Sequence, residues 1–144
     1  VRNQADYACK QGTVNGTKKA LIIGCSTGYG LASRICTLEN CGADTLGIMF
    51  ERQANGRRTA TPGWYNTAEF HRLAAEKGAY AKTINGDAFS KEIKDKAIEL
   101  IKKESGKSRS GSVQPSCSET YGCGWKDMVI LSENYRRSVY REES

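Results

Sequence analysis

The 144-residue chain lacks several features that would place it in other protein classes. No apolar run approaches the roughly 20 residues that a membrane-spanning helix needs. Residues 1–7 contain neither an initiator methionine nor the apolar core of a signal peptide, so we expect the sequence to begin inside a longer one. The six cysteines form no CxxC pair and the single histidine, His71, gives no zinc spacing. These absences predict a soluble, globular protein with no membrane partner and no bound metal.

The cysteines and the histidine then need other roles. Cys25 lies in a glycine-rich turn and Cys36 in the helix after it, and both are interpreted as small buried residues in a reducing compartment. We expect His71, on a predicted helix, to be a surface or half-buried residue and not a catalytic base.

The net charge is +6 at pH 7, but the basic side chains do not indicate nucleic acid. Many of them lie on one predicted helix after residue 90, where they alternate with acidic side chains, as on a solvated helix face. No aromatic platform or recognition motif accompanies them. We therefore expect no nucleic-acid partner.

Short apolar runs alternate with amphipathic stretches up to residue 107. The pattern predicts strands over 20–24, 45–50 and 79–84, and a short helix over 6–11. Longer helices are predicted from Gly28 to near Gly42, from Asn66 as N-cap to Gly78, and from Ser90 as cap to a stop at Gly106. This order predicts an α/β fold, half of a Rossmann-like, doubly wound parallel sheet, with residues 1–107 as one partial domain.

A fourth strand should follow Lys107, and it does not. Residues 108–120 are polar and rich in Gly and Ser, and only residues 128–131 resemble a strand, with no obvious partner. We therefore expect residues 108–144 to form a weakly ordered tail that leaves an unpaired edge on the sheet.

The most informative stretch is residues 20–51, in which a strand, a glycine-rich turn, a helix and a second strand ending in an acid follow one another. The spacing of Gly24, Gly28 and Gly30 resembles the short-chain dehydrogenase form of the nucleotide-binding turn. Glycines let the main chain approach a pyrophosphate, and free amides at the helix start bind its oxygens. Three glycines alone also occur in plain tight turns, but the order of the flanking parts favours a dinucleotide site.

Two acidic residues complete the predicted site. Glu51 lies 21 residues after Gly30, where a carboxylate accepts hydrogen bonds from the ribose hydroxyls and repels a 2′-phosphate, which favours NAD(H) over NADP(H). The adjacent Arg52 could soften that choice, and a solvated strand-end glutamate is the alternative. Asp87 follows the third predicted strand, where it can meet the adenine amine or simply cap its turn.

The sequence offers no catalytic pair. A short-chain reductase needs a tyrosine with a nearby lysine, whose charge helps the tyrosine to donate a proton. A suitably placed downstream lysine is missing for each candidate in the last quarter of the chain: Tyr121, Tyr135 and Tyr140. We therefore assign no catalytic residue.

Five blocks in order resemble one family: residues 24–34, 42–46, 50–51, 63–66 and 84–90. They are similar to the NADH-dependent trans-2-enoyl-ACP and trans-2-enoyl-CoA reductases, the single-chain type distantly related to short-chain dehydrogenases. The resemblance covers nearly all of residues 1–107. It implies a cytoplasmic, usually monomeric enzyme that uses NADH to reduce the double bond of trans-2-enoyl thioesters in fatty-acid synthesis.

The resemblance also implies the cofactor-binding residues. They are Gly24, Cys25, Ser26, Thr27, Gly28 and Tyr29 at the pyrophosphate, Phe50 and Glu51 at the adenosine ribose, and Asp87 with Ala88 near the adenine. Cys25 stands where the family commonly has alanine. The family's catalytic tyrosine and lysine and its acyl pocket lie downstream of anything present here, so we expect an inactive fragment. There are two alternatives. One is another short-chain dehydrogenase, although the 63–66 block argues against it, and the other is a non-catalytic nucleotide-binding module.

The departure from the family after Lys107 has a specific explanation. The family continues there with an apolar strand, and the codons possible for residues 108–121, read one base later, are compatible with that strand almost throughout. We therefore hypothesise that residues 108–144 are a frameshifted translation, caused by one extra base near Lys107. A genuine divergent tail or a splice variant is the alternative.

Overall fold

The computed structural model describes the backbone of residues 1–105 and 129–131. In chain order the elements are α1 (Arg2–Lys10), β1 (Lys19–Ile23), α2 (Gly28–Cys41), β2 (Asp44–Met49), α3 (Pro62–Glu76), β3 (Ala81–Asn85), α4 (Lys91–Ser105) and β4 (Val129–Leu131). The alternation of strands and helices confirms the predicted Rossmann-like α/β class. None of the helices in the described ranges combines the length and the apolar character of a membrane span.

The described strands form one parallel sheet in the order β3-β2-β1-β4. Ile23 of β1 lies opposite Ile48 of β2, which in turn lies opposite Ile84 of β3. Because the strands are parallel, their carboxyl ends meet at one edge of the sheet. The turn after β1, Glu51 after β2 and Asp87 after β3 therefore share that edge.

Strand β4 corrects the expectation that residues 128–131 have no partner. Val129–Leu131 lies parallel to β1, with Leu21 opposite Val129 and Ile23 opposite Leu131. This pairing gives partners to backbone groups on the side of β1 that faces away from β2, so the edge expected to be open is covered over these residues. The rest of the predicted tail, 108–128 and 132–144, lies outside the described residues, as does the predicted stop at Gly106.

Helices cover both faces of the sheet, which agrees with the apolar character of its strands. On one face α4 packs on the strands through Ile93 and Ala97. On the other, α1, α2 and α3 share a core that includes Leu31, Ile35 and Phe70. Helices α2 and α4 thus each bury an apolar stripe. Helix α2 ends as predicted, with Gly42 in the left-handed conformation at φ 60°.

The start of α3 differs from the prediction. The helix begins at Pro62, and its N-cap Thr61 lies five residues before the predicted cap at Asn66. Proline suits the first helical position because its φ is already helical. It has no N–H, but an N–H at this position would have no intrahelical acceptor in any case. Asn66 instead lies inside the helix and donates from Nδ2 to the Ser26 carbonyl at 3.1 Å. By contrast, Ser90 caps α4 as predicted, accepting a hydrogen bond from the Ile93 amide at 3.3 Å.

Two smaller expectations differ in part from the structure. The helix predicted over 6–11 is α1, which starts at Arg2 because Ala5 and Ala8 bury one of its faces in the core. Cys36, expected to be buried, is exposed, whereas Cys25 is buried as predicted. All four cysteines in the described ranges are free thiols, which leaves no disulfide among them.

Candidate functional site

The turn after β1 has a backbone that glycine makes possible. Gly24 and Gly28 have φ values of 74° and 54°, in the left-handed region that favours glycine. A Cβ on Gly30 would meet the carbonyl oxygen of Gly24, so α2 approaches β1 this closely only without a side chain there. Thr27 is the N-cap of α2 but makes no side-chain capping hydrogen bond, which leaves the first helical amides available to an anion.

Glu51 is anchored beside this turn. Its Oε1 accepts a hydrogen bond from Ser26 Oγ at 2.5 Å, and its Oε2 accepts one from Thr61 Oγ1. Its backbone is held by Asn85, whose Oδ1 accepts from the Glu51 amide at 2.8 Å and whose Nδ2 donates to the Glu51 carbonyl at 2.9 Å. The carboxylate is half-buried and fixed on two hydroxyls, unlike a freely solvated strand-end glutamate.

The start of α3 fits closely against this acid. A Cβ on Gly63 would meet the Glu51 carboxylate and Ser26 Cβ, so only glycine allows the helix to dock there. Thr61 then supplies its hydroxyl from the N-cap, and Asn66 reaches the Ser26 carbonyl from the next turn. Sequence reasoning did not assign Thr61 and Asn85 to the site. Their signals were a threonine directly before Pro-Gly and an asparagine at a strand end.

The other predicted site residues lie along the same edge. Tyr29 and Phe50 are largely exposed, with 72% and 82% of their surface accessible. Asp87 caps its own turn, which was the alternative to a contact with adenine. Its Oδ1 accepts a hydrogen bond from the Phe89 amide at 2.9 Å. Ala88 packs against the core under α4. The structure thus brings Ser26 of the turn into contact with Glu51, whereas the part that each predicted site residue plays toward the cofactor stays a prediction.

Arg34 lies under the turn, and the sequence reasoning gave it no role. It is fully buried, and its Nη1 contacts Cys25 Sγ at 3.4 Å and donates to Thr83 Oγ1 at 2.9 Å. A Cβ on Gly47 would collide with the guanidinium and with Cys25, so glycine in β2 provides the space. Its signal in the sequence was its position three residues after Leu31, within the apolar stripe of α2.

The other two nitrogens of Arg34 also donate to neutral groups. Nε donates to Thr45 Oγ1 at 3.2 Å and Nη2 donates to the Lys82 carbonyl at 2.8 Å, while the guanidinium lies 4.3 Å from the centre of the Phe70 ring. Burial lowers the pKa of Arg34 from its ordinary value. Burial also raises the pKa of the Cys25 thiol, against the opposing effect of Arg34, so the thiol stays neutral at pH 7.

His71 is half-buried, as expected, and its Nε2 lies 2.8 Å from Thr83 Oγ1. Because that oxygen already accepts a hydrogen bond from Arg34, the Thr83 hydroxyl can donate to a neutral imidazole. Burial, and then the charge of Arg34, lower the pKa of His71.

This environment predicts a pH dependence of stability. Below about pH 6.5 the unfolded chain binds a proton at His71 that the folded chain does not. The free energy of unfolding should therefore decrease as the pH is lowered, until the pH passes below the pKa of His71 in the folded chain. Urea unfolding between pH 5 and 8 measures this, and His71→Gln, which still accepts from Thr83, should flatten the slope. Since the chain has one histidine, equal slopes in the two proteins would rule the effect out.

Comparison with known proteins places this geometry in context. Residues 1–56 match the family model described as the NAD(P)H binding domain of trans-2-enoyl-CoA reductase, and residues 58–109 match the trans-2-enoyl-CoA reductase catalytic region. The trans-2-enoyl-CoA reductase [NADH] of Ruminiclostridium cellulolyticum and the enoyl-[acyl-carrier-protein] reductase [NADH] of Pseudoalteromonas atlantica are each 59% identical over 107 residues. Those matches cover 74% of this chain and 27% of each relative.

Solved structures show the same similarity. The trans-2-enoyl-CoA reductase of Clostridium acetobutulicum in complex with NADH matches with a TM-score of 0.70 and 46% identity, over 72% of this chain and 26% of that one. The Treponema denticola trans-2-enoyl-CoA reductase in complex with NAD matches with a TM-score of 0.68 and 43% identity, over 72% of this chain and 27% of that one. The described fold is thus similar to about a quarter of each of those proteins.

Proposed function

We propose that residues 1–107 form the NADH-binding part of an enzyme that reduces the trans-2 double bond of enoyl thioesters, since this chain belongs to the trans-2-enoyl-CoA reductase family. The observation that supports this most directly is Glu51, fixed by Ser26 and Thr61 beside the glycine turn. The curated relatives named above are NADH-dependent enoyl reductases, and the chain spans 27% of their length.

In this proposal each part of the edge binds one part of the dinucleotide. The turn and the first amides of α2 bind the pyrophosphate, and Glu51 accepts hydrogen bonds from the adenosine ribose. A carboxylate has about four lone-pair sites, so two remain for ribose hydroxyls after Ser26 and Thr61 have donated. Asp87 and Ala88 lie farther along the edge, near the adenine. Bound NADH supplies the hydride, while these residues bind and orient it.

The substrate class, the oligomeric state and the cellular location are also proposals. The substrate class is an enoyl thioester of CoA or acyl carrier protein, used in fatty-acid synthesis by a monomeric, cytoplasmic enzyme. The chain itself is expected to bind NADH without reducing the thioester, since it corresponds to about a quarter of its relatives. We keep the division at residue 107, with 108–144 translated from a shifted frame, as a proposal that the coding DNA decides.

A comparison of NADH with NADPH tests the cofactor site. A basic chain that attracts nucleotides only through its net charge of +6 should prefer the more negative NADPH. A site built on Glu51 should prefer NADH by about tenfold or more, because the carboxylate repels the 2′-phosphate. Calorimetric titration of the 144-residue chain measures both dissociation constants. Equal or tighter binding of NADPH, or no saturable binding of NADH, would overturn the proposal.

A further inference from the structure

The buried guanidinium of Arg34 has hydrogen-bond partners but no neutralising charge. Its acceptors are two threonine hydroxyls, one thiol and the Lys82 carbonyl, all of them uncharged. No ion pair found within residues 1–105 includes Arg34. Buried charges are normally paired, since hydrogen bonds to neutral groups replace only part of the lost hydration. The charge therefore has an unfavourable burial energy that the described contacts offset only in part.

The location of this charge indicates which ligand could balance it. Cys25, which Nη1 contacts at 3.4 Å, belongs to the turn between β1 and α2. The thiol is neutral, so it does not cancel the charge. A dinucleotide pyrophosphate held by that turn would bring two negative charges to the segment that contains Cys25. Attraction between groups separated by protein is screened far less than it is in water.

The packing keeps the guanidinium in this position. Gly47 provides its space in β2, and the Phe70 ring covers it at 4.3 Å. Thr45 and Thr83 orient its plane from two neighbouring strands. The charge is thus fixed under the turn before any ligand arrives, which is how an electrostatic contribution to binding avoids a cost of rearrangement.

We propose that Arg34 is a positioning residue for the cofactor pyrophosphate, acting from beneath the turn through its fixed positive charge and its contact with Cys25. The inference rests on the proposed function, because it needs a dinucleotide on this turn. Its competitor is a purely structural Arg34 that only ties α2 to β2 and β3. The two roles differ in their effect on ligands with and without phosphate.

The first test compares two variants with two ligands. Methionine fills a similar volume without charge, and such replacements of buried ions are often tolerated. Arg34→Met should weaken NADH binding by about tenfold or more, and adenosine binding by less than about twofold. Arg34→Lys, which keeps the charge, should stay within about threefold of the wild type for NADH. Calorimetry for NADH and ligand-observed NMR for adenosine measure these constants, with circular dichroism to verify folding.

A second pair of variants leaves Arg34 in place. Thr45 accepts from Nε at the amino end of β2, away from the turn. Thr45→Asp gives the guanidinium a carboxylate of similar size, and neutralising it should weaken NADH binding selectively. Thr45→Asn is the matched neutral control and should keep the wild-type preference for NADH over adenosine. This pair decides the question if Arg34→Met does not fold.

The outcomes separate this inference from the proposed function. Unchanged NADH affinity in folded Arg34→Met, or in Thr45→Asp, would overturn the role of Arg34 while NADH binding by the wild type still supports the proposed function. Equal losses for NADH and adenosine in Arg34→Met and Arg34→Lys would show a structural role only. A wild-type chain that binds no NADH would overturn both.

Discussion

Glu51→Gln should abolish the preference of the chain for NADH over NADPH. The amide has no charge, so it forms weaker hydrogen bonds with the ribose hydroxyls and no longer repels a 2′-phosphate. Hydrogen bonds to charged groups contribute about 1.5–3 kcal/mol, so NADH should bind about tenfold to a hundredfold more weakly. NADPH should bind as well as before or better, because a repulsive charge has gone. Calorimetric titration of both cofactors measures the ratio.

The fold should tolerate this substitution. The amide oxygen of a glutamine can accept a hydrogen bond from Ser26 or Thr61, so part of the anchoring at the start of α3 is kept. Glu92→Gln is the matched control: it changes the net charge equally, on an exposed turn of α4 where Glu92 contacts Lys96 at 3.3 Å. If both variants shift the two affinities alike, Glu51 acts through net charge alone and its assignment to the ribose is wrong.

The anchoring of Glu51 explains why part of the site was accessible from the sequence and part was not. The turn and the acid follow one another along residues 20–51, so spacing alone connects them. Thr61 reaches the carboxylate from ten residues beyond it, and Asn85 holds the Glu51 backbone from 34 residues away. Contacts of this kind depend on how α3 and β3 dock, which no local pattern specifies.

The same distinction applies to the fold. Strands β1 and β2 were predicted to within one residue at each end, since apolar runs bounded by glycine and polar residues are local signals. The partner of β4 was missed because strand pairing is a long-range choice between free edges. Arg34 was missed for a related reason: an arginine in an apolar stripe is usually solvated through its long stem, and only the space above Gly47 makes its burial possible.

Gly30→Ala should destabilise the folded chain. The new Cβ would meet the carbonyl oxygen of Gly24, which is backbone and cannot turn aside as a side chain can. Either α2 or the end of β1 must move, and overpacking of this kind costs about 1–3 kcal/mol or more. Helix propensity acts in the opposite direction, favouring alanine by roughly 1 kcal/mol. The clash with backbone atoms should outweigh this gain, so the expected net change is a loss of stability.

Gly56→Ala is the matched control for this test. Its Cβ would meet nothing within 4 Å and its φ is not in the left-handed region, so urea unfolding should detect little change. A Gly30→Ala chain as stable as Gly56→Ala would show that α2 does not approach β1 as closely as the structure indicates. If Gly30→Ala is instead destabilised but folded, the displaced helix start should also bind NADH more weakly, because its first amides no longer align with the turn. Stability and cofactor affinity would then both depend on the absence of a side chain at Gly30.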